Sequence, residues 1–156
     1  MKKKRRKKIH KEAKWPRVIS FEEREEVLSF WEERFGIPPE TFENYLLLST
    51  AKNYWLFVKP PELRPLQNLQ VQTVGLLFTR RVSKWLKPTS TALQRFGHLA
   101  TKNIVELGPL ELDRLRREKR LEFEADLEEG YVIIKCEKKI WGCGLYAKGK
   151  LISYLP

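Results

Sequence analysis

The apolar residues of this chain come in short runs, such as the five of residues 54–58, broken up by charges, prolines and glycines. That pattern suits short strands and amphipathic helices, each with one face to bury. It leaves no candidate for a membrane-crossing helix, which needs about 18 or more apolar residues in succession. The 156 residues suffice for one compact domain or two small ones sharing an interface. With 42% hydrophobic and 33% charged residues, a core is feasible and wholesale disorder is not expected.

The formal charge of +11 is unevenly placed. Residues 1–17 carry ten Lys/Arg and one acid, and residues 18–58 carry three bases and eight acids. Residues 59–102 carry eight bases and one acid, Glu62, and residues 103–156 carry ten of each. Two stretches are therefore cationic, and one lies within the core-forming part. A polyanion is the expected partner. Nucleic acid offers a dense phosphate array, and each Lys or Arg that displaces a condensed counterion gains release entropy. A membrane surface also attracts polybasic segments but usually needs an acyl chain or an amphipathic apolar face as well. Lys2 stands where myristoylation requires glycine, and Ser153-Tyr154-Leu155-Pro156 is no prenylation box. The basic N-terminus lacks the apolar stretch of a secretory signal, so the expected location is cytoplasmic. One methionine, four Asn and four Gln beside abundant Glu, Lys and Arg suggest a thermophile. Two cysteines make neither a disulfide framework nor a four-ligand zinc site.

Residues 1–14 have only Met1, Ile9 and Ala13 as apolar residues and read as a basic arm that repels itself into disorder when alone. A helix is predicted over residues 20–35. Ser20 and Glu23 form a capping box; Val27, Leu28, Trp31 and Phe35 share one face; Gly36 and Pro38-Pro39 end it. Its outer face (Glu22, Glu25, Glu26, Glu32, Glu33) reads as solvated and should turn away from phosphates. Another short helical start follows at Pro39-Glu40-Thr41-Phe42. Residues 45–49 and 54–59 read as strands around a turn, and Pro60, Pro61 and Pro65 mark a boundary near residue 62. Beyond it, residues 69–79 read as a strand and 80–87 as a basic loop. Pro88 suits the first turn of a helix striped by Ala92, Leu93, Phe96, Leu99 and Ala100. Residues 103–107 form a short strand, and Gly108-Pro109 opens a second helix through Lys119 with Leu112 and Leu115 inward. Residues 131–137 and 140–146 form a hairpin about Lys138-Lys139, and 150–155 a last strand. The fold class predicted is α+β: a basic arm (1–17), a small α/β domain (18–62) and a β-rich domain (63–156).

Catalysis has little support. The glycines form neither a P-loop nor a dinucleotide fingerprint, and Gly142-Cys143-Gly144 reads as a bulge or a place of close packing. His10 and His98 stand alone, so no metal site is expected. Cys136 and Cys143 should lie near each other across the last hairpin as small core residues rather than nucleophiles. No catalytic residue, cofactor or small-molecule substrate is assigned.

RNA binding has more support. Cations grip phosphates and an exposed indole stacks on a base. The arm supplies Lys2, Lys3, Lys4, Arg5, Arg6, Lys7, Lys8, Lys11, Lys14 and Arg17. The basic segment adds Arg80, Arg81, Lys84, Trp85 and Lys87, with Trp85 open to two roles, core anchor or stacking platform. Arg95 and Lys102 follow from the adjoining helix and its exit, and Lys148 and Lys150 from a late basic turn.

Gly75-Leu76-Leu77, Lys87 to Leu93 (Lys-Pro-Thr-Ser-Thr-Ala-Leu), Gly130 to Ile134 (Gly-Tyr-Val-Ile-Ile), Ile140 to Leu145 (Ile-Trp-Gly-Cys-Gly-Leu), Lys148-Gly149-Lys150-Leu151 and Pro156 occur in this order. Together they resemble the PUA-like domain that accompanies the catalytic domain of some Sun-type rRNA 5-methylcytosine methyltransferases. The segment from Phe35-Gly36-Ile37-Pro38-Pro39 to Trp55-Leu56-Phe57 is similar to the α/β segment preceding that domain. The resemblance covers roughly residues 20–156. It implies a β pseudo-barrel that binds structured RNA around its first helix and last strand, a surface that would include Lys84, Lys87, Thr89, Arg95, Lys148 and Lys150. The chain departs from the family in having no methyltransferase domain, no S-adenosylmethionine loop and no catalytic Pro-Cys motif, and Arg117-Glu118-Lys119-Arg120 replaces the small turn after the second helix. The expected protein is non-catalytic and binds ribosomal RNA as a ribosomal component or assembly factor. The alternatives are tRNA binding, a guide subunit for a separate modification enzyme, or a protein-interaction module that uses the acidic helix face.

Overall fold

A computed structural model describes residues 16–59 and 75–156. The fold is α+β, with two five-stranded sheets and three α-helices among the described residues. The first sheet is an antiparallel meander of β1 (Arg17–Val18), β2 (Tyr45–Thr50), β3 (Asn53–Val58), β4 (Leu76–Val82) and β5 (Trp85–Pro88). The second contains β6 (Ile104–Glu106), β7 (Arg120–Glu122), β8 (Gly130–Cys136), β9 (Lys139–Ala147) and β10 (Lys150–Ser153), in the order β6-β8-β9-β10-β7. Within it only β6 and β8 are parallel. No described helix is long and apolar enough to cross a membrane.

Helix α1 (Phe21–Phe35) begins where the sequence places it. The Ser20 hydroxyl accepts from the Glu23 amide at 3.2 Å. The predicted return bond is replaced: the Glu23 carboxylate accepts from Arg17 at 3.0 Å and from the Tyr54 hydroxyl at 3.4 Å, tying the helix start to β1 and β3. Gly36 closes the helix at φ 72°, and a side chain there would also strike Thr101. The inward stripe Val27, Leu28, Trp31 and Phe35 is buried. Trp31 is the centre of this core. It stacks on Phe78 at 4.6 Å and 8°, touches Phe35 and Phe42, and donates its indole N–H to the buried Thr79 hydroxyl at 2.9 Å.

α2 (Ser90–Phe96) packs on both β4 and β9 and so bridges the two sheets. α3 (Pro109–Glu118) lies over a second cluster of β6, β7, β8, β9 and β10 residues through Leu112 and Leu115. Lys119 takes the left-handed position (φ 64°) that glycine usually fills after a helix.

Four sequence expectations are corrected. Residues 80–87 are no loop: β4 runs to Val82, Ser83 turns at φ 56°, and β5 returns from Trp85. Pro88 therefore ends β5, and the helix starts after Thr89, whose hydroxyl caps it. Leu99 is 41% exposed, because α2 tightens into a 3-10 turn at Gly97 and the helical stripe loses register. The last hairpin turns on Glu137-Lys138, both left-handed, one residue earlier than predicted.

Pro60, Pro61 and Pro65 and the first part of the strand expected over 69–79 lie outside the described residues. So does the boundary near residue 62. The flanking strands β3 and β4 are paired in one sheet.

Candidate nucleic-acid interface

A bulge decides which side chains of the β4–β5 hairpin are exposed. β3 pairs with β4 as Tyr54↔Thr79 and Trp55↔Leu77, leaving Phe78 as the extra residue. Phe78 and Thr79 are then both fully buried. From Thr79 onward the alternation resumes. Arg81 falls on the Thr79 side, against α1, and donates to the Glu26 carboxylate at 3.0 Å and the Tyr54 hydroxyl at 3.1 Å. Arg80 and Val82 fall on the outer side. Their partners across the hairpin are Lys87 and Trp85. Trp85 is 64% exposed, so it is no core anchor; the Lys84 ammonium lies 5.3 Å from its ring centroid.

Lys87 reaches from this outer face into a cleft of about 230 Å³ whose lining includes Leu77, Arg80, Ser90, Cys143, Tyr154 and Pro156. Its ammonium lies 3.4 Å from the Tyr154 ring centroid and 6.0 Å from that of Tyr131. The tyrosine is delivered by backbone and hydroxyl bonds. The Tyr154 amide donates to the Cys143 carbonyl at 3.0 Å. The Ser90 hydroxyl donates to the Tyr154 carbonyl at 3.3 Å and accepts from the Cys143 amide at 3.0 Å. This close approach requires Gly142, which sits at φ 148° where any side chain would meet Ser90. The sequence expectation of a bulge or close packing at Gly142-Cys143-Gly144 describes this place.

The electrostatics are those of an anion site. Arg80 and Lys87 are directly opposite each other, and like charges so placed destabilise a sheet. Burial lowers the Lys87 pKa, and the Arg80 charge lowers it further. A desolvated ammonium beside a second cation is unfavourable until an anion joins them. Exposed Trp85 at one end and Tyr154, 42% exposed, at the other offer flat apolar surfaces beside the pair.

The other sequence-predicted residues are placed as follows. Lys2, Lys3, Lys4, Arg5, Arg6, Lys7, Lys8, Lys11 and Lys14 lie outside the described residues. Arg17 is paired with Glu23 and Arg81 with Glu26, both as ties to α1. The Thr89 hydroxyl donates to the Leu77 carbonyl at 2.6 Å and accepts from the Ala92 amide at 3.1 Å, which makes it a helix cap at the cleft wall. Arg95 is exposed on α2, its guanidinium 5.9 Å from the Phe96 ring. Lys102 lies in a separate groove with Asp126 and Glu128. Lys148 and Lys150 flank the β9–β10 turn, about 13 Å or more along β9 from Cys143. The structure therefore brings Arg80, Lys84, Trp85 and Lys87 together, and not Lys102, Lys148 or Lys150. Sequence reasoning missed Tyr131, Ser90 and Tyr154, which reach the cleft through long-range contacts with no local signal.

The cysteines do not meet. An extra residue, Trp141, shifts the β8–β9 register so that Cys143 faces Ile133, in the cluster under the cleft, while Cys136 lies in the cluster under α3. Both are buried and free. Burial pushes the Cys143 thiol up to about 12 from 9.0, with the Lys87 charge opposing. A raised acid stabilises the fold fully below pH 9, and that contribution is lost as pH rises from 9 toward 12. Stability should fall there by about 1.4 kcal/mol per pH unit from this group alone. Denaturant titrations at pH 8 to 11 should show a shallower fall for Cys143→Ala; equal slopes would refute the assignment. Among the described residues no group of three or more His, Cys, Asp or Glu is placed to hold a metal.

Residues 4–64 match the model of a family of unknown function (DUF7122). The match ends before β4 and so does not include the hairpin. No curated protein matches the chain.

Proposed function

We propose that the protein is a non-catalytic RNA-binding protein, that its target is ribosomal RNA, and that it acts as a ribosomal component or assembly factor in the cytoplasm. In this reading residues 63–156 are a PUA-like domain, residues 18–62 the small α/β domain before it, and residues 1–17 a cationic arm. The observation that carries the reading is the outer face of the β4–β5 hairpin. There a directly opposed Arg80–Lys87 pair lies beside an indole exposed at 64%. Cations for phosphates and a ring for an unpaired base are what RNA recognition requires. The cleft beside α2 and the segment after β10 agree with the surface implied by the resemblance. That likeness rests on motif order; the two described sheets are open.

The buried, strongly raised Cys143 thiol makes a poor nucleophile, which favours binding over covalent catalysis. Cosedimentation with ribosomal subunits across a salt series tests the proposal. With about six phosphate contacts, log affinity should fall against log salt with a slope of roughly −4 to −5. A flat response would overturn the phosphate contacts. Recovery of tRNA, or of a separate modification enzyme, in place of ribosomal RNA would reassign the partner while keeping the site.

A further inference from the structure

The hairpin cleft is one of three that adjoin. It shares Pro156 with a second cleft lined by Asp113, Arg116, Arg117, Lys119 and Leu155. The second shares Asp113 and Arg116 with a third, of about 310 Å³, whose lining includes Cys136, Lys139 and Trp141. The first lies on the Cys143 side of the second sheet and the third on the Cys136 side. The continuous path therefore passes around the segment after β10 from one face of the sheet to the other.

The far end repeats the chemistry of the near end. On α3, Arg114 is paired with Glu118 and Arg117 with Asp113. Arg116 turns instead to Trp141, its guanidinium 5.1 Å from the ring centroid. The Lys139 ammonium approaches the same ring at 4.2 Å. Two cations converging on one half-exposed indole form a second aromatic and cationic station, at the opposite end of the path from Trp85.

We infer that the three clefts are one track for an extended single strand of RNA, running from Trp85 past Tyr154 and Pro156 to Trp141. This rests on the RNA-binding reading of the hairpin and adds the class of RNA and a second contact. A duplex is stiff over lengths far greater than this molecule and does not turn around a sheet edge, whereas a single strand bends at each nucleotide and stacks base by base.

Fluorescence anisotropy with labelled oligouridylates of about four and about twelve nucleotides, bracketing ordinary single-strand site sizes, tests the track. The longer strand should bind the wild type at least about tenfold more tightly, because it spans both stations. The variant Arg116→Gln/Lys139→Gln, changed only at exposed positions, should lose that advantage and leave the short strand's affinity unchanged. Its salt slope with the longer strand should be shallower by about 1.4, the share of two single-strand phosphate contacts. Equal binding of the longer strand by variant and wild type would overturn the track while sparing the hairpin site. Equally tight binding of a twelve-base-pair duplex would overturn its single-strand character. Failure of both oligonucleotides to bind the wild type, with ribosomal RNA still bound, would also end the inference alone. Failure of all RNA would end the reading it rests on.

Discussion

Replacing Trp31 by alanine should destabilise the fold by about 3–5 kcal/mol, the usual range for emptying a large aromatic site. Domains of ordinary stability have about 5–15 kcal/mol in total, so the variant should have a much lower denaturation midpoint or fail to accumulate. The size of the effect follows from how many elements meet at this ring. The indole stacks on Phe78 of β4, touches Phe35 of α1 and Phe42 of the following turn, and is fully buried. Its N–H also holds the buried Thr79 hydroxyl. Phe78 and Thr79 are the residues around the bulge, so loss of Trp31 should loosen the hairpin that carries Arg80 and Trp85. Trp31→Phe separates the two contributions. It keeps most of the stack and loses the donor, and should cost about 1–3 kcal/mol for the unpaired hydroxyl and the smaller ring. A denaturant midpoint for Trp31→Ala within error of wild type would contradict this picture of the core.

The second large effect concerns affinity. The double variant Arg80→Glu/Lys87→Glu should bind RNA on the order of a hundredfold more weakly, because two charged hydrogen bonds at about 1.5 kcal/mol each are lost. Its fold should survive, since both side chains leave the core face of the hairpin and an opposed cation pair contributes no stability to lose. Lys87→Met sharpens the contrast. It removes a desolvated ammonium from beside Arg80 and Tyr154, so stability should stay level or rise while RNA binding falls. Falling stability with unchanged RNA affinity would show Lys87 to be a structural residue.

Much of the fold is legible in the sequence where punctuation and period agree. Ser20, Gly36 and Pro38-Pro39 bracket α1, and its buried stripe follows the helical period. The β2–β3 and β8–β9 hairpins follow from apolar runs around short polar turns. What escapes is the effect of single extra residues. Ser83-Lys84 lacks the glycine or asparagine that marks a tight turn, so the hairpin reads as a loop. Regular counting back from the last turn sets Cys143 opposite Val132, on the side of Cys136. The extra residue Trp141 moves it opposite Ile133 and onto the other face. The bulge at Phe78 likewise sends Arg80 outward and Arg81 toward α1. The cations of the candidate site are thus visible as a group in the sequence. Which of them share a face depends on bulges, and the part played by Tyr131, Ser90 and Tyr154 depends on contacts between distant segments.

The central claim is that the outer face of the β4–β5 hairpin, with the cleft beside it, is where RNA lies. Ultraviolet cross-linking of the full-length protein to ribosomal RNA, with the attached nucleotides mapped by mass spectrometry, reads this out residue by residue. Adducts should concentrate on Trp85 and Tyr154, the aromatic side chains exposed at the two ends of the Arg80–Lys87 pair. Adducts absent from both, with RNA attached instead at the α1 face or the β9–β10 turn, would contradict it.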